Sequence, residues 1–412
     1  MNKSDSINEA SAENLPLKGI RILSAEQYGA GPFGSMQLAD LGAEVIKIEN
    51  PADGGDISRR SGHYKLDTPD GKPDSQFFQS FNRNKKSLTL NMKSDAGQAL
   101  FRKLAGTADA VMNNLRGDQP VKLGLDYAAL GAVKKSLICV HLSAYGRKHE
   151  RENWPGYDYL MQAEAGYLHL TGEPDSEPTR MGLSIVDYMT GVTTSMALLA
   201  GLLGASRTGV GRDIDVSLFD VALAQLTYPA TWFLNAGHVT DRMPRSGHPS
   251  AVPVQLVNAA DGWVFIMCLT PKFWENLSAG VGHPEWVSDR RFETPALRHQ
   301  NRGALSDLLD NAFKSNTVEH WINHFSGKIP ISPVLNMQQA LMNPFVGNTG
   351  MIQPTPHPAD QSFRMLASPV QLDGQRLPGK VCSPLSGDTD DLLHEVGCDD
   401  QTIKDLRRDG VI

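Results

Sequence analysis

Short apolar runs rich in β-branched residues alternate with helical patterns through the first third of this chain, and that alternation restricts the fold more than any other feature. Gly19–Ser24 (GIRILS), Glu44–Glu49 (EVIKIE), Ser87–Asn91, Asp109–Asn113 and Leu137–Leu142 read as strands, with helical patterns at Phe33–Leu41 and Ala96–Ala105 between them. Strands joined through helices run parallel, and a parallel sheet needs cover on both faces. At Asp213–Leu218, Ile214, Val216 and Leu218 alternate with polar residues as in one more strand. The expected fold class is therefore α/β: a Rossmann-like open parallel sheet as a large domain, with a smaller α+β domain after it.

The boundaries follow from changes of character along the chain. Residues 1–16 are polar and are read as an unstructured tail, and 17–225 as the first part of the large domain. Beyond Tyr228, turn-rich sequence over Arg242–Pro253 leads to strand patterns at Val254–Val257 and Trp263–Leu269 and helical patterns to about Phe325. This region, 226–342 with its flanking linkers, is the smaller domain, with Trp263 and Trp274 in its core. Residues 343–412 open with Pro354, Pro356 and Pro358 and are too few to bury a core of their own, so they return to the large domain.

Several function classes are disfavoured. A formal charge of −7 argues against a general nucleic-acid binder. Cys139, Cys268, Cys382 and Cys398 are far apart, which suits a reducing compartment. The N-terminus lacks the apolar core of a signal peptide, so a cytoplasmic protein is expected. Leu183–Ser206 is long enough for a membrane span but is broken by Thr190, Gly191, Thr193, Thr194 and Ser195, which favours a core helix and no membrane association. His320 and His324 share a helical face without a third ligand, so no metal site is expected.

Within that apolar segment Asp187 is the one acid. A carboxylate at the head of a buried helix is either a cap or a nucleophile, and spacing alone leaves both open. Gly29-Ala30-Gly31-Pro32-Phe33-Gly34 spells G-x-G-x-x-G after a strand, with Glu49 about twenty residues on, as in dinucleotide sites. Ala25–Tyr28 delay the turn and Pro32 removes an amide, so an NAD-dependent oxidoreductase, a plain tight turn and another phosphate-bearing cofactor all stay open. Arg83, Lys85 and Lys86, with Arg116 and Lys122, form a basic group near strand ends that suits several phosphates, or a solvated loop.

At this point the motifs acquire a resemblance. LKGIRIL, AGPFGSMQLADLGAEVIKIE, NRNKKSLTLNMK, PGYDYLMQAEAGYLHLTG, SIVDYMTG and GRDIDVSLFD occur in an order similar to that of the class III coenzyme A transferases, the family of formyl-CoA transferase and carnitine CoA-transferase. The likeness runs from Leu17 through essentially the whole chain.

The resemblance implies an enzyme that moves CoA from an acyl-CoA donor to a free carboxylic acid through an aspartyl anhydride and an aspartyl-CoA thioester. It places the catalytic aspartate at Asp187. It places CoA contacts at Tyr28, Gly29, Ala30, Asn50, Leu90, Asn91, Met92, Lys93, Asn114, Leu115, Arg116, Lys122, Gly156, Tyr157 and Asp158. It also implies an interlocked homodimer with no tightly bound cofactor, CoA arriving as part of the substrate.

Where some members carry a glycine-rich lid, this chain reads PRSGHPSAVPVQ, so Arg245 and His248 are candidates for holding the acceptor or shielding the site. Arg180, Arg242 and Arg245 suggest a short polar or dicarboxylic acceptor. The alternative within the same superfamily is a 2-methylacyl-CoA racemase or epimerase. Those enzymes carry a histidine where this chain has Tyr157, a poor base at neutral pH, which favours transfer.

Overall fold

The computed structural model describes residues 14–412, so the expected tail over 1–16 falls almost wholly outside the described residues. Six strands form one parallel sheet: β1 (Arg21–Ala25), β2 (Glu44–Glu49), β3 (Lys86–Thr89), β4 (Ala110–Asn113), β5 (Ile138–Ser143) and β6 (Arg212–Ser217), in the spatial order β3-β2-β1-β4-β5-β6. The winding reverses between β1 and β4, and a doubly wound sheet binds ligands beyond the carboxyl ends of its strands at such a reversal. β2, β4 and β5 are buried almost throughout, which is why they read as continuous apolar runs.

Helix α1 (Ala30–Asp40) follows β1, α2 (Asp95–Thr107) links β3 to β4, and α3 (Asp158–Glu164) and α4 (Ile185–Thr208) lie between β5 and β6. The Thr/Gly/Ser interruptions in α4 are its packing face. Thr190, Gly191, Thr194, Ser195, Leu198, Gly201 and Ala205 are buried, and each buried hydroxyl finds a carbonyl: Thr190 donates to Val186 at 2.7 Å and Ser195 to Gly34 of α1 at 2.8 Å. Gly34 and Gly191 let the two helices meet backbone to backbone. A Cβ on Gly34 would stand 3.1 Å from the Gly191 carbonyl carbon. The opposite face of α4 exposes Val192, Met196 and Leu203.

The chain forms two compact units, one of residues 14–165, 182–226 and 345–412, the other of 166–181 and 227–344. The C-terminal segment covers the β3 edge: the Ser87 amide donates to Asp388 at 2.8 Å and the Thr89 amide to Thr389 at 3.0 Å. Leu392, Leu393, Ile403, Val411 and Ile412 complete the core around Leu88 and Leu104.

Residues 166–181, expected within the first part of the large domain, belong to the second unit instead. The cause is Arg242, whose buried guanidinium donates to the carbonyls of His169 (2.6 Å), Glu173 and Glu177 (3.3 Å each) and Ser176. The second unit has its own antiparallel sheet of β7 (Val254–Asn258), β8 (Trp263–Met267) and β9 (Ile331–Pro333), and its own core around Trp274, Phe292, Phe313 and Phe325. Trp263 is 43% exposed and departs from the expected core position, because it ends the β7–β8 hairpin.

Candidate active site

The carboxyl ends of β1, β4, β5 and β6 open into a cavity of about 760 Å³ in the first unit. Its lining brings together Tyr28, Gly29 and Ala30 after β1, Asn114, Leu115 and Arg116 after β4, Gly156, Tyr157 and Asp158 at the head of α3, and Asp187 at the head of α4. These expected residues, dispersed over 160 positions of sequence, therefore share one wall system at the winding reversal.

Asp187 lies in the first turn of α4 and is 8% exposed. Its backbone amide donates to the Asp158 carboxylate at 2.9 Å, and Gln162 donates to the other Asp158 oxygen at 2.5 Å. Asp158 is thus the cap of α4, and Asp187, the residue whose sequence context equally suited a cap, has its own carboxylate turned to other use. Burial, with the Asp158 charge second, pushes the Asp187 carboxyl up to about 7. The helix N-terminus opposes this by only about 0.3–2 kcal/mol. A carboxylate that is stripped of water yet not ion-paired is more basic and more nucleophilic than a solvated one.

The elevated ionisation has a consequence for stability. The carboxyl ionises near 7 in the fold and near ~3.9 when unfolded, so its ionisation favours the unfolded chain. The penalty is absent below about pH 4, grows as pH rises, and is complete above the folded value of about 7. Asp187→Asn is expected to raise the thermal midpoint at pH 8, by up to about 4 kcal/mol of stability, and to leave it unchanged near pH 4. Thermal melts across that range check it.

The glycine run after β1 makes room for this carboxylate and for the helix packing. A Cβ on Gly29 would fall against Asp187 Oδ2 and 3.3 Å from Cγ, one on Gly31 would press on Asn114 at 2.9 Å, and Gly34 is needed for the approach of α4. Glu49, the acid that a dinucleotide site would turn to a ribose, is buried and receives two 2.8 Å bonds from Arg59 and one of 2.7 Å from Ser87. That engagement removes the NAD reading.

Two of the three residues of the basic run are likewise internal. Arg83 is buried against Asp40 (2.8 and 2.5 Å), Lys85 against Glu26 (2.9 Å), and Lys86 pairs with Glu44 (2.5 Å). None of the three lines either described cavity, which departs from the expectation from their spacing. Arg116 does reach the cavity wall, half exposed beside Asp118 at 3.4 Å. Lys122 lines neither described cavity; it is exposed and pairs with Asp118 at 2.6 Å.

A second, smaller cavity of about 170 Å³ is lined by Asn50, Leu90, Asn91, Met92 and Lys93, with Asp53 and Ile48. Gln27 and Leu115 line both cavities, so the two are neighbours along the end of β1. All five expected residues of this group meet there.

Arg245 and His248 lie in the second unit and are both engaged. Arg245 pairs with Asp310 and with Asp307 at 3.4 Å. His248 accepts the Ser250 and Ala251 amides on Nδ1 at 3.2 and 3.1 Å, and its Nε2 lies 3.3 Å from the Tyr228 hydroxyl. Arg242 is saturated by the carbonyls named above. An arginine facing two carboxylates, another filled by main-chain oxygens and a histidine holding its own turn have little left for an acceptor. The rings of His320 and His324 stack 5.8 Å apart, and among the described residues no cluster of three metal-ligating side chains occurs.

The model of CoA-transferase family III matches residues 17–389. The chain belongs to that family. It is 32% identical over 400 residues to a succinyl-CoA:glutarate CoA-transferase from Mus musculus, covering 96% of this chain and 90% of that one. It is 32% identical over 340 residues to an acetyl-CoA:oxalate CoA-transferase from Acetobacter aceti, covering 82% and 85%. The crystal structure of a CAIB/BAIF family protein from Brucella suis superposes with a TM-score of 0.80 at 31% identity, over 93% of this chain and 100% of that chain.

This CoA-transferase is therefore an enzyme acting on CoA thioesters. Its cavity also contains residues the sequence did not single out: Gln27, Ile57, Leu142–Ala144, Trp154, Tyr159, Ser184 and Leu218. Those following β5 and β6 were findable as the positions just past strand carboxyl ends. Ile57 and Trp154 carry no such signal, since Ile57 opens a single 3-10 turn and Trp154 sits in an irregular loop. Tyr157 lines the cavity but is 64% exposed, as befits a wall residue.

Proposed function

We propose that the enzyme moves CoA from an acyl-CoA to a short dicarboxylic acid by way of covalent intermediates on Asp187. The carrying observation is one carboxylate, buried at the foot of a large cavity, with no cationic side chain paired to it among the described residues, and pushed up to about 7. Asp187 attacks the thioester carbonyl; the C–S bond breaks, giving a mixed anhydride and CoA thiolate. The thiolate attacks the aspartyl carbonyl, releasing the donor acid and leaving an aspartyl-CoA thioester. The acceptor carboxylate displaces CoA to form a second anhydride, and CoA takes the new acyl group, restoring the Asp187 carboxylate.

Negative charge develops on a carbonyl oxygen at each step. Gly29 and Ala30 line this corner and no side chain caps α1, so the Ala30 and Gly31 amides are the donors that would take up this charge. CoA would lie with its thiol end beside Asp187, pass Leu115, and reach Asn50 and Leu90–Lys93, with Arg116 near its phosphates. The sheet is read as Rossmann-like and the site as lying within a cytoplasmic homodimer of interlocked chains. The exposed apolar face of α4 supports self-association.

A dicarboxylate acceptor rests on the names of the relatives. With succinyl-CoA or acetyl-CoA as donor and a panel of glutarate, oxalate, mesaconate, succinate and monocarboxylic acids, mass detection should find new thioesters chiefly from a dicarboxylate. Formation from monocarboxylates alone would overturn the acceptor class. Because Asp187 must be ionised to attack, the rate at subsaturating acyl-CoA should rise about tenfold per pH unit below about 7 and level off above it. A profile that falls over the same range would contradict this role.

A further inference from the structure

The turn that presses on Asp187 is itself held by a buried ion pair that the chemistry above does not use. Between β1 and α1, Glu26–Gly29 must turn with Tyr28 at φ 70°, a left-handed conformation that a bulky residue adopts only when its surroundings impose it. Three side chains grip its main chain. Lys47 Nζ donates to the Glu26 carbonyl at 2.9 Å. Asn114 accepts from the Gln27 amide at 2.9 Å and donates to the Gln27 carbonyl at 2.7 Å. The Tyr28 amide donates to both Asp56 oxygens at 3.3 Å.

Two of these grips are one object. Lys47 and Asp56 form a 2.8 Å ion pair whose side chains are both shut off from solvent. Burial alone would raise the Asp56 carboxyl; Lys47 outweighs it and holds the group ionised. Asp56 is in turn fixed by its own amide, which donates to Glu49 at 3.0 Å, and by the Ser58 amide at 2.9 Å. The next residue after the gripped Tyr28 is Gly29, whose missing side chain makes the space for Asp187 Oδ2. Burying two charges is costly, and hydrophobic replacements of such pairs are often no less stable, so stability alone does not account for the pair.

We propose that Asp56, oriented by Lys47, is a positioning residue for catalysis: it fixes the Tyr28–Gly29 peptide, and through it the wall against which the Asp187 carboxylate is aimed. This rests on the reading of Asp187 as the acylated residue.

Asp56→Ala and Asp56→Asn separate positioning from mere support. Both remove the ion-pair partner of Lys47, leaving it only the Glu26 and Glu49 charges, and should lower the thermal midpoint, but Asn keeps an acceptor oxygen for the Tyr28 amide. Single-turnover acylation of Asp187 by an acyl-CoA, read by mass after hydroxylamine trapping, should fall about 100-fold in Asp56→Ala and less than about tenfold in Asp56→Asn, with KM for acyl-CoA within about threefold in both. Equal losses in the two variants, or a loss below about threefold in Asp56→Ala, overturn the proposal. If Asp56→Ala does not fold, hydrogen exchange in the unaltered enzyme decides: the Tyr28 amide should exchange as slowly as sheet amides, and exchange at the rate of an open loop overturns it. Failure of the nucleophile reading would be seen separately, as absence of Asp187 acylation in the unaltered enzyme.

Discussion

Asp187→Ala is expected to abolish CoA transfer, lowering kcat on the order of 10⁴-fold or more, while acyl-CoA still binds with nearly unchanged affinity. The expectation follows from geometry. Among the described residues that line the cavity, only Asp187 and Asp158 are carboxylates, and Asp158 is occupied by the α4 amide and Gln162. No second carboxylate stands ready to take over. Asp187→Asn should be as inactive, because a carboxamide cannot form the anhydride, although it preserves shape and should melt higher at pH 8. Asp187→Glu keeps the function but lengthens the arm into the Gly29 backbone, and a displacement of about 1 Å is enough to cost on the order of 10²-fold. Steady-state kinetics with a binding measurement on each variant separates these outcomes. An Asp187→Ala enzyme retaining a tenth of normal turnover would leave the account without a nucleophile.

Gly29→Ala should produce the second largest loss. The added methyl would collide with Asp187 Oδ2, the far end of a side chain that can swing away. The fold then accommodates the change by moving the Asp187 carboxylate. Acylation should fall on the order of 10²-fold with little change in thermal midpoint. Gly34→Ala, five residues on, makes the informative contrast. Its methyl meets the Gly191 backbone, which cannot rotate aside, so α1 and α4 must separate. That variant should lose about 1–3 kcal/mol of stability, and its remaining folded fraction should acylate more readily than Gly29→Ala. Melting curves and trapping rates on the two variants check the pair; a Gly29→Ala enzyme of normal activity would mean that Asp187 reacts from a different rotamer.

Strands β2, β4 and β5 were legible because they are buried on both faces and read as nearly continuous apolar runs, and β6, half covered, showed as alternation. β9 was not, since Ile331–Pro333 is three residues long and ends in proline. Asp187 stood out as a lone acid in an apolar segment, yet whether its side chain capped the helix was legible only once Asp158 was seen to take the capping bond. The Arg83, Lys85 and Lys86 run misled for a reason built into sequence reading. Its partners Asp40, Glu26 and Glu44 lie 43, 59 and 42 positions away, and only the folded sheet brings them together. The same holds for Arg242, whose carbonyl partners lie 65–73 positions upstream, in a segment that local pattern assigned to the other unit.

The most direct measurement incubates the enzyme with an acyl-CoA in the absence of acceptor, adds hydroxylamine, and maps the modified residue by peptide mass. A hydroxamate is expected on Asp187 alone, its yield rising with pH through about 7. A hydroxamate on any other residue, or none in an enzyme that still turns over, would contradict it.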